Sequence, residues 1–389
     1  MEKITSSIIN IGVNNYDIKI FENQYALEKG MAYNSYLILD EKVAVMDTVD
    51  PGVTEKWLDN LQEGLGDREV DYLIVQHMEP DHGGSIMRLY ERYPKMKIVS
   101  SAQAFRMMQQ FFGTDIGERG VIVKEGDTLP LGAHTLQFFT APMVHWPEVL
   151  VTYEQSEKVA FSADGFGKFG TTDADEDWAC EARRYYFNIC GKYGIQVQNL
   201  LKKLATLDIR IICPLHGPVL TENLNYYIDK YAVWSSYEPE DKGIFIAYAS
   251  IYGNTAKAAW KLKEILEEQG AQKVVITDLC KDDIHEAVED AFRYDRLVLA
   301  AASYDAGVFP PMEAFLHHLK SKNFQKRTVA LIENGSWGPT AGRTMKELLE
   351  DMKEITVIDP IITIKSAMSE ENKKQMEDMA KLLTESLRE

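Results

Sequence analysis

Hydrophobic and polar positions follow two different rhythms along the 389-residue chain. In the first part, short apolar runs recur: "YLIVQ", "KIVSS", "LQFFTA", "VLVTYE", "KVAFSA" and "IRIICPL". Runs this short, bounded by turn formers, predict buried strands. Between them, the three-to-four spacing of apolar positions in "GSIMRLYERYP" and "SAQAFRMMQQFF" predicts helices. Many strands with a few helices predict an α+β domain of layered sheets covered by helices.

The rhythm changes at "SSYEPEDKG", Ser235–Gly243, a polar, acidic, proline-containing stretch that reads as a linker. Beyond it, the strand-like runs "GIFIAYA", "KVVITDL", "RLVLAAA", "TVALIEN" and "VIDPIITI" alternate with helical segments such as "KAAWKLKEILEEQG", "MEAFLHHLKSK" and "GRTMKELLEDM". A last helix, "KKQMEDMAKLLTESL", closes the chain. This alternation predicts an α/β doubly wound parallel sheet, which binds ligands at the carboxyl ends of its strands. The expected domains are 1–238 and 243–389. No internal repeat or low-complexity segment interrupts them.

Composition narrows the function classes. A 45% hydrophobic content supports real cores, and a net charge of -18 argues against a nucleic-acid surface. No uninterrupted apolar run of about 18 residues exists, so no membrane span is expected. The N-terminal "MEKITSSIINIGVNNYD" lacks the basic-then-apolar pattern of a signal peptide. These features predict a cytoplasmic protein without nucleic-acid or membrane partners. Cys180, Cys190, Cys213 and Cys280 form no CxxC pair. They predict buried free thiols, not a disulfide framework or a thiolate iron centre.

The candidate chemistry of the first part starts in "LIVQHMEPDHGGS". His77, Glu79, Asp81 and His82 crowd one loop after an apolar run. The spacing of two predicts that His77, Glu79 and Asp81 project the same way from extended backbone, with His82 approaching from the other side of a turn. Unpaired carboxylates this close repel each other, and a cation relieves the repulsion. His145, Asp164 and His216 each follow an apolar run and precede a chain breaker. Alone, each is most simply a cap or turn residue. Strands ending on one edge would bring all seven side chains together, too many for one tetrahedral ion but well suited to two ions sharing a carboxylate. His134, His285, His317 and His318 lack such company and read as surface or packing residues.

The second part carries three loops at strand ends. In "AYASIYGNTAKAA", Ser250, Tyr252, Gly253, Asn254 and Thr255 sit on the turn into a helix, where hydroxyls and backbone N–H groups cradle a phosphate. No lysine follows the glycine, so this is not a nucleotide-hydrolase loop. A monoester phosphate such as that of FMN fits such a neutral cradle. "AAASYDAGVFPP" adds Ser303, Tyr304 and Asp305. "ENGSWGPTAG" adds Asn334, Gly335, Trp337 and Gly338, with an aromatic able to stack on a planar ring. The blander reading is an ordinary capped turn and an exposed loop aromatic, but three such loops favour a flavin.

The metal loop resembles that of the metallo-β-lactamase superfamily, H-x-H-x-D-H, with Glu79 in place of the middle histidine. Four histidines and three carboxylates suit non-haem di-iron better than di-zinc. The second part resembles flavodoxin, with S-x-Y-G-N-T as its phosphate loop. In this order the halves resemble the flavodiiron proteins (A-type flavoproteins) over essentially the whole chain. The resemblance implies a metallo-β-lactamase-like αββα sandwich followed by a flavodoxin-like sheet, with FMN and two non-haem irons. It implies that one iron takes His77, Glu79 and His145. The second takes Asp81, His216 and, in many members, His82, and Asp164 bridges them. "EARRYYFNI" also looks like the family, placing Tyr185 or Tyr186 near the iron pocket or, equally, in the core.

The family reduces dioxygen to water, nitric oxide to nitrous oxide, or both. The resemblance implies an electron-transport role in a head-to-tail homodimer or dimer of dimers. Without paired CxxC motifs, no rubredoxin is expected within the chain, and a separate donor such as rubredoxin or a flavin reductase is implied. The rival readings are a di-zinc hydrolase with an attached flavodoxin and a non-catalytic flavin electron carrier.

Overall fold

The computed structural model describes residues 1–385. It divides into two compact units. The first is Met1–Tyr186 with Ile195–Ala232, and the second is Phe187–Gly194 with the chain from Val233 onward.

The first unit is built on two sheets. A seven-stranded sheet runs in the order Glu2–Lys3, Ile8–Asn10, Tyr36–Ile38, Ala44–Met46, Tyr72–Ile74, Lys97–Ser100, Gly120–Ile122. A five-stranded sheet runs Thr128–Pro130, Thr135–Thr140, Leu150–Glu154, Val159–Phe161, Ile211–Cys213. Alternating side chains fill the space between them: Tyr36, Ile38, Met46, Ile74 and Val99 meet Leu136, Phe138, Leu150, Phe161 and Cys213. On the other face of the larger sheet, Leu37 packs against Gly64 of helix Thr54–Leu65. That helix buries Trp57, Leu58, Leu61 and Leu65, a three-to-four spacing. Helix Ala102–Phe112 starts where Ser101 accepts a hydrogen bond from Ala104 N and stops at Gly113, φ +64°. The layered sheets expected from the pattern, and the αββα sandwich implied by the resemblance, are present.

The second unit is a parallel sheet in the order Val274–Asp278, Asp241–Ala249, Tyr294–Tyr304, Arg327–Asn334, Ile355–Ile364. The strand order reverses beside the first strand, creating a crevice at the carboxyl edge. On one face Ile244, Ile246, Val298, Ala300 and Ile332 bury against Leu262, Met376 and Leu383.

Two expectations need correction. The irregular stretch is shorter than Ser235–Gly243: a helix persists to Ser235 and a strand begins at Asp241. The polar start of that strand is held because Asp241 Oδ2 lies 2.7 Å from both Lys273 Nζ and Arg293 Nε. Of the cysteines, Cys190 and Cys213 are buried but Cys180 and Cys280 are exposed, and no two of the four form a disulfide. Among the described residues, no helix is long and apolar enough to cross a membrane.

Candidate metal centre and flavin cavity

Loops leaving four strands carry the seven anticipated side chains to one place. His77 follows Tyr72–Ile74, His145 follows Thr135–Thr140, Asp164 follows Val159–Phe161, and His216 follows Ile211–Cys213. Their donor atoms form two groups. In the first, His77 Nε2 lies 3.2 Å from Glu79 Oε2, 3.3 Å from His145 Nε2 and 3.3 Å from Asp164 Oδ2. His145 Nε2 completes it, 2.9 Å from Glu79 Oε2 and 3.0 Å from Asp164 Oδ2. In the second, His82 Nε2 lies 3.0 Å from His216 Nε2, 3.3 Å from Asp81 Oδ2 and 3.2 Å from Asp164 Oδ1. Asp164 therefore offers one oxygen to each group.

The loop geometry differs from the extended arrangement expected. Pro80 opens a helical turn, Pro80–Gly83, which rotates Asp81 and His82 away from His77 and Glu79. Asp81 thus joins the second group, not the first.

The separations fit ligand sets. Metal–ligand bonds of about 2.1 Å put neighbouring donors about 3.0 Å apart at right angles and about 3.4 Å apart in a tetrahedron. The buried Asp81 and Asp164 oxygens have no hydrogen-bond donor, the state expected of atoms meant for a cation. Charge agrees. Burial alone would raise the Asp164 carboxyl, but His77, His145 and His82 hold it well below the usual range. Burial would likewise lower His145, yet Asp164 and Glu79 push it up to about 9. The pocket thus draws positive charge strongly.

Two of the remaining ring nitrogens, those of His216 and His77, are fixed from behind. His216 Nδ1 donates to Ala32 O at 2.7 Å. His77 Nδ1 lies 2.8 Å from Glu148 Oε1, which also accepts from Met78 N at 2.9 Å. These contacts leave each Nε2 as the free donor facing the cluster. Asp47 accepts from Gln76 N at 2.7 Å and His77 N at 3.3 Å, holding the backbone that delivers His77. Glu148→Ala should weaken metal binding about 10–100-fold, read by metal titration of the stripped protein; unchanged affinity would remove Glu148 from this role.

Sequence reasoning missed Glu148, Asp47 and Glu22. Glu22 sits on a three-residue hairpin loop, where φ is +48° at Glu22 and +56° at Asn23. Gln24 Nε2 donates to the Glu22 carboxyl at 3.1 Å, and burial with the neighbouring Glu79 charge pushes that carboxyl up to about 7. Of the two tyrosines, Tyr185 lies with its ring 5.5 Å from that of His216, whereas Tyr186 packs on Tyr231. His134, read as a surface or packing residue, is buried with its Nδ1 3.0 Å from Glu154 Oε1. His285 and His318 pack ring to ring.

The second unit opens a cavity of about 370 Å³ at the carboxyl edge of its sheet. Ser250, Tyr252, Asn254, Thr255, Ser303, Tyr304, Asp305, Asn334, Gly335, Trp337 and Gly338 all line it. Gly253 does not. Its φ of +93° turns the chain into helix Asn254–Glu268, and its N–H donates to Ser250 Oγ at 3.1 Å. That helix has no side-chain cap, which leaves its first N–H groups for an anion. Thr340 and Ser366 also line the cavity and had no signal in the sequence. Asp305 is the one charged side chain in the lining. Tyr252 and Trp337 are each 96% exposed, so both faces are open to stack on a planar ring.

Residues 31–217 match the family model described as ODP family beta lactamase, and residues 246–386 match Flavodoxin. The flavodiiron protein of Giardia intestinalis shares the fold at a TM-score of 0.92, with 24% identity over 100% of this chain and 97% of that one. The chain belongs to the flavodiiron proteins. Among similar flavodiiron-type sequences, a "Nitric oxide reductase" of Moorella thermoacetica is 26% identical, covering 93% of this chain and 92% of the relative. A "Rubredoxin-oxygen oxidoreductase" of Megalodesulfovibrio gigas is 25% identical, covering 99% and 98%. A flavodoxin domain implies FMN and the flavodiiron family implies two non-haem irons; the residues above fit both.

Proposed function

We propose that this flavodiiron chain is an oxidoreductase that reduces dioxygen to water, nitric oxide to nitrous oxide, or both, with electrons from an external donor. The observation that carries it is the pair of donor groups sharing Asp164, with Glu79 as a carboxylate where a hydrolase-like loop has histidine. Two ferrous ions and a fully reduced flavin together supply four electrons, enough to take dioxygen to two waters, and two electrons suffice to make nitrous oxide from two nitric oxide molecules.

The chain's own residues position these groups. His77, Glu79 and His145 hold one iron, and Asp81, His82 and His216 hold the other. Asp164 fixes their separation, and Glu148 fixes the His77 ring. Ser250, Asn254 and Thr255 hold the FMN phosphate. Tyr252 and Trp337 would stack on the flavin ring, and Ser303, Tyr304, Asp305, Asn334 and Gly335 line the same cavity. The di-iron domain is 1–238 and the FMN domain 243–389. The relative named for rubredoxin supports a rubredoxin-like donor, with a flavin reductase as the other source. A cytoplasmic head-to-tail homodimer completes the reading, and a fully active monomer in sedimentation would contradict that assembly.

Metal and flavin analysis tests the assignment: about two iron and one FMN per chain are expected. Two zinc ions with hydrolase activity would overturn it. Trp337→Ala should weaken FMN binding about tenfold, the upper end of an aromatic stacking contribution, read by fluorescence titration of the apoprotein. Unchanged affinity would remove Trp337 from the flavin face.

A further inference from the structure

Behind the metal centre, the layer between the five-stranded sheet and two helices is incompletely filled. On strand Val159–Phe161, the residues facing the sandwich core are Val159 and Phe161. The outward positions, Ala160 and the following Ser162, are small. Helices Gly194–Leu204 and Leu224–Ser235 span the space above them without closing it. A cavity of about 350 Å³ results. Leu201, Leu204, Leu207, Ile209, Ile212 and Ile228 supply its apolar walls, Asn225 and the exposed Asp208 add polar groups, and the exposed Ala205 lies at its mouth.

The floor of this cavity is the back of the loop that carries Asp164. Ser162 and Phe166, which bracket that loop, both line it. The loop is clasped tightly. Gly165 N donates to Ser162 O at 3.0 Å, Ser162 Oγ donates to Gly165 O at 2.6 Å, and Phe166 N donates to Tyr231 Oη at 2.6 Å. One side of a single turn therefore presents Asp164 to the donor groups, while the other faces an apolar space.

Such a space selects its occupant. Against the apolar walls an ion or polar metabolite would lose most of its hydration. Of the polar side chains in the lining, Ser162 Oγ already donates to Gly165 O and Asp208 pairs with Lys158, so water finds few partners there, whereas apolar cavities take up uncharged guests such as xenon. Dioxygen and nitric oxide are small, uncharged and weakly hydrated. We propose that this cavity is an apolar gas-binding site in which the diatomic substrate collects next to the Asp164 loop before reaching the metal centre. This rests on the gas-reductase reading above.

Xenon-pressurised crystals of the holoprotein test it. Xenon is expected in the cavity, and Ala205→Trp, which fills the mouth from an exposed position, should exclude it. The same variant should raise KM for the gas by about threefold or more with kcat unchanged, and with iron and FMN content unchanged. Absence of xenon from the parent cavity overturns the proposal. So does an unaltered KM in a variant that excludes xenon, or continuous density for a chain-like ligand in the cavity. If the parent consumes neither gas, the functional reading itself fails, and that result is separate from xenon occupancy.

Discussion

In an Asp164→Ala variant, metal content falls from about two to below one per chain, and gas reduction falls by more than about 100-fold, beyond the range typical for loss of an outer-shell partner. Asp164 reaches both donor groups: its Oδ2 is 3.0 Å from His145 Nε2, and its Oδ1 is 3.2 Å from His82 Nε2. Removing it takes one ligand from each site together. It also takes away the charge that offsets repulsion between two neighbouring cations. The flavin cavity belongs to the other unit, so FMN absorbance stays at one per chain. Metal analysis beside the flavin spectrum reads the result. A variant that kept both metals would show that Asp164 does not bridge.

The second large effect concerns stability. Arg327→Leu should destabilise the second unit by about 5 kcal/mol, because five carbonyls lose a buried donor and each net hydrogen bond contributes about 1 kcal/mol. The Arg327 guanidinium donates to Tyr237 O at 2.7 Å, Tyr294 O at 2.8 Å, Lys326 O at 3.0 Å, Gln325 O at 3.1 Å and Phe292 O. It clamps the start of one strand to the chain around its neighbours. Burial lowers its pKa to about 10, so it remains charged at neutral pH. Domain stabilities are typically about 5–15 kcal/mol, so the loss is a large share. Urea unfolding followed through flavin release measures it. A change below about 1 kcal/mol would show that the clamp is dispensable.

The metal centre was legible because its residues stand where apolar runs end. Strand direction then brings His77, His145, Asp164 and His216 to one edge. The sheet of the second unit was legible for a related reason: its three central strands are buried on both faces and its strands are separated by amphipathic helices. What escaped reading is what spacing does not encode. Glu148 and Asp47 act on His77 through tertiary contacts, and neither lies in the loop that carries it. Glu22 depends on a hairpin turn whose two positive-φ residues include a glutamate, an uncommon choice there. The alternation of His77, Glu79 and Asp81 suggested one common face, until Pro80 converted the next residues into a helical turn. Tyr185 and Tyr186 are neighbours on helix Trp178–Ile189 and point about 100° apart, so packing alone decides which one meets His216.

The central claim is that one chain couples FMN to a di-iron site for gas reduction. The most direct measurement is anaerobic reduction of protein carrying iron and FMN, followed by separate mixing with dioxygen and with nitric oxide while consumption and products are recorded. The account predicts consumption of at least one gas, giving water without released peroxide or giving nitrous oxide, together with reoxidation of the flavin. A reduced protein with full iron and FMN that consumes neither gas would contradict it.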